Sequence, residues 1–195
     1  MDSSEMEEKH GRDSFDKMYD EKEKMFGHPY REFQDYFNEY PKGSALDLGS
    51  GQGRDSIFLA LLGYQVTAVD NSKIGIVQML REAQAQKVEI DGLVADVLDY
   101  ETEKQFDIIL FDMLLHGFGK PKQLEILNKY SGLLARKGIM CIVFPDDLTT
   151  NHFMSMLKSV SGDWKLLDEI IVKDVPKMEG DDVDFTFTMI VVQST

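Results

Sequence analysis

One stretch limits the fold more than any other: Ala45-Leu46-Asp47-Leu48-Gly49-Ser50-Gly51-Gln52-Gly53-Arg54-Asp55. An apolar run suited to a buried strand meets three glycines at alternate positions and passes straight into an amphipathic segment. Glycine lets a backbone turn tightly, take positive φ and leave room for a ligand against the main chain. The next apolar run, Gln65-Val66-Thr67-Ala68-Val69-Asp70, ends in a carboxylate. Strand, glycine loop, helix and acid-tipped strand form the layout of a nucleoside site, where the acid takes the ribose hydroxyls.

The glycine spacing separates two cofactor classes. A dinucleotide loop reads G-x-G-x-x-G and aims backbone N–H groups at a pyrophosphate. Here the pattern is G-x-G-x-G, with Gly53 one position early, and Asp47 stands two residues before the first glycine. A carboxylate there repels a pyrophosphate and pairs with an ammonium. S-adenosylmethionine has that ammonium, lacks phosphate and brings a ribose for Asp70. The segment from Ala45 to Asp70 therefore resembles motifs I and II of the class I S-adenosylmethionine-dependent methyltransferases. A nucleotide-dependent oxidoreductase is disfavoured by the same two features.

The resemblance continues in order along the chain. Asp91-Gly92-Leu93-Val94-Ala95-Asp96-Val97 is similar to the third family motif. Phe106 to His116 resembles the fourth strand with its turn, and Gly132 to Met140 the approach to the fifth. Arg54 after Gly53, followed by Asp55, resembles one branch, the tellurite-resistance and thiol methyltransferases. Phe15, Tyr19, Phe26, Gly27, Pro29 and Phe33 are similar to the N-terminus of that branch, with Phe15 where tryptophan is usual. The cofactor-binding set implied is Asp47, Gly49, Ser50, Gly51, Gly53, Arg54, Asp70, Asn71, Asp96, Val97 and Phe111. Asp47 and the glycine loop take the methionine part, Asp70 the ribose, and Asp96 with Val97 the adenine.

Each assignment has a plainer rival. Asp70 is open to a role as a helix cap, although Ser72 already offers one. Asp96 is open to turn chemistry and Arg54 to a solvated surface position. His116 is the candidate general base, since its unperturbed pKa lies near neutrality; the rival is a histidine bonded to its own loop. Asp112, Asp146 and Asp147 raise a metal-assisted O-methyltransferase as an alternative, but they lack a tight ligand motif. A non-catalytic sensor of the cofactor is the other alternative. No metal is expected.

Composition narrows the partners. The formal charge of −14 over 195 residues repels phosphate backbones, and no basic cluster is visible, so nucleic acid is excluded as a substrate. No apolar stretch approaches the roughly 20 residues that span a bilayer, and the acidic N-terminus is no secretory leader. The single cysteine, Cys141, forms no internal disulfide, which points to the cytoplasm. A small-molecule acceptor and a monomer or homodimer are expected.

One domain accounts for the length. Residues 1–11 read as a disordered, charged lead; 12–41 as a helical lid whose aromatic stripe at Tyr30, Phe33, Phe37 and Tyr40 is mostly packing; 42–195 as the binding core. Strands are expected near 44–49, 65–70, 89–94, 106–112 and 138–144, with helices at 54–62, 72–85, 121–135 and 150–160. Two final apolar runs, 166–173 and 184–193, flank a polar turn at 176–183 too short for a crossover and should pair antiparallel. The fold class is α/β: a doubly wound, mostly parallel seven-stranded sheet with its last strand antiparallel, the Rossmann-like methyltransferase fold.

Overall fold

A computed structural model describes residues 15–160, 162–173 and 186–194. The lead 1–11 and the polar turn 176–183 lie outside the described residues. A helix over 15–21 (α1) is followed by α2 (Arg31–Glu39), β1 (Ser44–Leu48), α3 (Arg54–Leu61), β2 (Gln65–Asp70), α4 (Lys73–Ala85) and β3 (Ile90–Val94). Then come β4 (Phe106–Asp112), a 3-10 turn at Leu115–Gly117, α5 (Lys120–Ser131), β5 (Leu134–Pro145), α6 (Thr150–Leu157), β6 (Trp164–Val172) and β7 (Phe187–Ser194). Among the described residues no helix is long and apolar enough to cross a membrane.

The seven strands form one sheet in the order β3-β2-β1-β4-β5-β7-β6. β1 pairs parallel with both β2 and β4, so the direction of winding reverses between β1 and β4. β7 runs antiparallel to β5 and β6, as the short polar connection requires.

Alternation along each central strand splits the core in two. Ile108 and Leu110 of β4 face α2, α3 and α4, together with Phe37, Leu59 and Met79. Ile109 and Phe111 face α5 and α6, together with Tyr130, Phe153 and Leu157. Both faces are covered, which is why these strands read as unbroken apolar runs.

Two boundaries differ most from the sequence reading. Helix α5 stops at Ser131 because Gly132 caps it, short of the expected 135. β5 starts early, at Leu134, which pairs with Phe106 before a register shift restores Ile108 opposite Ile139. Lys137, with φ of +65°, lies within that irregular stretch. The aromatic stripe of α2 is core: Phe33 and Phe37 are wholly buried, with ring centroids 4.5 Å apart. A nine-residue helix is marginal alone, so this packing holds α2 in place.

Candidate cofactor site

Ligands of open α/β sheets bind beyond the carboxyl ends of the strands, where the winding reverses. In this chain that place is the tip of β1 between β2 and β4. Gly49 and Ser50 donate their N–H groups to the Val69 carbonyl at 2.8 and 3.2 Å, which fastens the glycine loop to β2. Gly49, Gly51 and Gly53 all take positive φ, and Gly53 opens α3.

Asp70 stands at the tip of β2, as expected. Its carboxylate accepts the Gly51 N–H at 2.8 Å and the Ser72 N–H at 2.7 Å. The N-cap of α4 is Ser72, whose hydroxyl accepts the Gly75 N–H at 3.0 Å, so Asp70 is not spent on that cap. Burial pushes the Asp70 carboxyl up, and the two backbone donors partly oppose it. Asn71 follows in the turn, half-buried. Asp96 accepts the Leu98 N–H at 2.9 Å, the turn chemistry weighed against it. Val97 is buried, and its carbonyl accepts the Tyr130 hydroxyl at 2.7 Å.

A buried charge cluster lies under the loop. Asp47 is 2% exposed and accepts the Ser56 hydroxyl at 2.6 Å. Burial first, and then Asp55, push its carboxyl up to about 7. Arg54 is neither a solvated arginine nor free to reach outward. Its Nε and Nη2 donate to Asp55 at 3.0 and 2.8 Å, and Nη2 also reaches Asp112 at 2.5 Å. Its guanidinium stacks on the Tyr30 ring, 4.2 Å from the centroid. Arg54, expected in the cofactor-binding set, has its guanidinium engaged with Asp55, Asp112 and Tyr30 and so ties α3, β4 and the start of α2 together. Burial also raises the Asp112 carboxyl, against the pull of Arg54.

Phe111, also expected in the cofactor-binding set, turns its ring away from the loop. It is wholly buried on the α5–α6 face, edge-on to Tyr130 with centroids 6.0 Å apart. Its place at the strand end is right, but strand parity turns the ring into the core. For the metal alternative, Asp112 Oδ2 is engaged with Arg54, Asp146 and Asp147 are exposed, and among the described residues no group of three or more His, Cys, Asp or Glu is gathered to hold a metal.

His116 lies exposed on the 3-10 turn after β4. Partial burial of its ring lowers its pKa, with Asp147 opposing. The imidazole is therefore neutral at neutral pH and able to accept a proton.

Helix α1 covers the loop through contacts that sequence reasoning missed. Gln52 donates to the Lys22 carbonyl at 2.8 Å and to Gln78 at 2.7 Å, and accepts the Met25 N–H at 2.8 Å. Gln78 donates to the Tyr19 carbonyl at 2.9 Å, and the Ser72 hydroxyl donates to Asp16. An amide between two glycines was the one available signal, since Gln52 has no apolar face to bury. Tyr19 rests on the loop so closely that a Cβ at Gly51 would lie 2.6 Å from its hydroxyl. Gly51→Ala is therefore expected to destabilise the fold by about 2 kcal/mol or more, from positive φ and this clash together. Thermal denaturation reads the loss, and adding Tyr19→Phe should recover part of it.

The donors and acceptors left over describe what fits. Ser50 Oγ and Asp112 Oδ1 are buried and make no hydrogen bond among the described residues, and Asp47 has no cation of its own. A ligand carrying hydroxyls and an ammonium suits that set; a phosphate does not.

A sheet of this order, with its glycine loop at the reversal and an acid at the neighbouring tip, is the fold of the Rossmann-like methyltransferases. A model of the tellurite resistance protein TehB family matches residues 14–143, and the chain belongs to that family. The chain is similar to the probable S-adenosyl-L-methionine-dependent methyltransferase TehB of Haemophilus influenzae, 26% identical over 132 residues, covering 63% of this chain and 46% of that protein. It also resembles trans-aconitate 2-methyltransferase of Methylobacterium radiotolerans, 28% identical over 123 residues, covering 62% of this chain and 45% of that one. The crystal structure of TehB from Haemophilus influenzae superposes with a TM-score of 0.70 at 20% identity, covering 84% of this chain and 62% of that chain. The chain spans about half the length of these curated relatives.

Proposed function

We propose that this chain transfers a methyl group from S-adenosylmethionine to a small-molecule nucleophile, a thiol or a chalcogen oxyanion. The observation that carries the reading is the glycine loop at the reversal of the sheet, with buried Asp47 beneath it and backbone-anchored Asp70 beside it. Asp47, Ser50 and the 49–53 loop hold the amino-acid end, Asp70 with Asn71 the ribose, and Asp96 with Val97 the adenine. When bound, S-adenosylmethionine supplies a methyl carbon on a sulfonium leaving group. The protein's share is then alignment and exclusion of water, which supply roughly 7–11 kcal/mol relative to free reactants. Tyr19 and α1, pinned over the loop by Gln52 and Gln78, exclude water from that side. His116, neutral and exposed beyond β4, takes the proton of a protic acceptor.

The charges favour a thiol over an oxyanion. Asp70, Asp112, Asp146 and Asp147 mark the strand tips, and the guanidinium beside them, Arg54, is already neutralised by two carboxylates. An anionic acceptor meets repulsion there. Methyl-labelled S-adenosylmethionine, incubated with a panel of thiols and with tellurite and selenite, tests the reading. Label is expected in thiols; a protein that binds the donor but labels nothing is a sensor instead.

A further inference from the structure

We infer that Asp47 carries a proton in the ligand-free protein and gives it up when the ammonium group of an amino-acid-bearing nucleoside becomes its counter-charge. The inference rests on the cofactor site proposed above and assigns that site a property of its own, proton-linked binding. Three carboxylates, Asp47, Asp55 and Asp112, converge under the glycine loop on a single guanidinium. Arg54 donates to Asp55 through two nitrogens and to Asp112 through one, and nothing of it is given to Asp47. Among the described residues Asp47 receives only the Ser56 hydroxyl.

Among the described residues the surroundings offer Asp47 no other cation. From α3 it faces Arg54 and Asp55, from β2 Asp70, from β4 Asp112 and from β5 the buried Cys141 thiol. Tyr30, at the start of α2, closes over Arg54. With all three acids ionised the cluster would hold two surplus negative charges away from water, a state that proteins relieve by taking up protons. Arg54 offsets one charge; Asp112, raised by burial and by its contact with Asp55, takes one proton, and Asp47, with no cation of its own, takes the other. Two further groups in the same place ask for a ligand: Ser50 Oγ in the loop above and Asp112 Oδ1, on a side chain 6% exposed, are buried and make no hydrogen bond among the described residues. The direction agrees with the Asp47 carboxyl being pushed up to about 7. On binding, the Asp47 O–H bond breaks, the proton passes to buffer, and the ligand ammonium keeps its own protons.

Calorimetric titration with S-adenosylhomocysteine, in phosphate and in imidazole, counts the protons released. At about pH 6 close to one proton should leave per ligand bound, and affinity should rise nearly tenfold per pH unit from about 5 to 7. Above about 8 the amine of the ligand loses its own proton and affinity falls again. 5′-Methylthioadenosine, which has the nucleoside without the ammonium, should bind with no release. Asp47→Asn should bind S-adenosylhomocysteine without release. Should that variant not fold, Ser56→Ala removes the hydroxyl that favours the ionised form and should move the release window upward by about one pH unit or less. Heats that do not depend on buffer at pH 6, or release that persists in Asp47→Asn, overturn the inference while leaving the cofactor assignment standing. No binding of S-adenosylmethionine or S-adenosylhomocysteine at any pH overturns the cofactor assignment itself.

Discussion

Replacing Asp70 with alanine is expected to weaken S-adenosylmethionine binding by at least about a hundredfold, with a smaller loss of fold stability. A carboxylate has about four acceptor sites, and here two are taken by the Gly51 and Ser72 N–H groups. The remaining two suit a pair of ribose hydroxyls, each a charge-assisted bond of about 1.5–3 kcal/mol. Alanine removes these and also releases the Gly51 N–H, so the loop that cradles the ligand loosens in the same step. The structural cost is about 1–3 kcal/mol, because the freed donors lie in a half-buried place that water can reach. Burial already raises the Asp70 carboxyl, which moderates that cost. Asp70→Asn separates the two effects: its amide oxygen can still accept the Gly51 N–H, but the charge is gone. Calorimetry gives the affinity and thermal denaturation the stability. A folded Asp70→Ala variant with unchanged affinity would remove Asp70 from the ribose.

The framework was legible because its signals are local. β4 falls at Phe106–Asp112 as read, and the short final connection implied the antiparallel pairing of β6 with β7. The glycine spacing and the acids at 47 and 70 lie where the reading put them, because a tight turn and a strand tip are written in adjacent residues. Features set by parity or by distant partners were not legible. Phe111 and Asp112 are neighbours at one strand tip, and only the pleat decides that Phe111 faces Tyr130 while Asp112 faces Arg54. The stripe Tyr30, Phe33, Phe37 reads as mostly packing, but which ring meets which partner is not written in its spacing; the structure buries Phe33 and Phe37 and lays Tyr30 on Arg54. Gln52 looked like a spacer between glycines, yet its amide joins the loop to Lys22, Met25 and Gln78. These contacts cross 26 to 30 positions in sequence, beyond any local pattern.

Removing the guanidinium of Arg54 should be more disruptive than its place beside a ligand loop suggests. Arg54→Met is expected to destabilise the protein by about 3–5 kcal/mol near neutral pH, because it leaves Asp55 and Asp112 buried with no cation. Methionine keeps much of the arginine stem but lacks the guanidinium that stacks on Tyr30, so charge and stacking are lost together and must be separated. Lysine should rescue only in part: a single ammonium cannot reproduce the fork that engages Asp55 through two nitrogens while reaching Asp112. The pH dependence identifies the cause. In the variant the buried acids have pKa values raised above those of the unfolded chain, so the folded state binds more protons as pH falls. Its stability should therefore recover on acidification from about pH 8 to 5, in the direction opposite to ordinary acid denaturation. Asp112→Asn, added to Arg54→Met, removes one of the stranded charges and should restore part of the melting temperature at neutral pH. Equal losses at pH 5 and pH 8 would mean that Arg54 acts through its stacking on Tyr30, and the charge account of this cluster would fail.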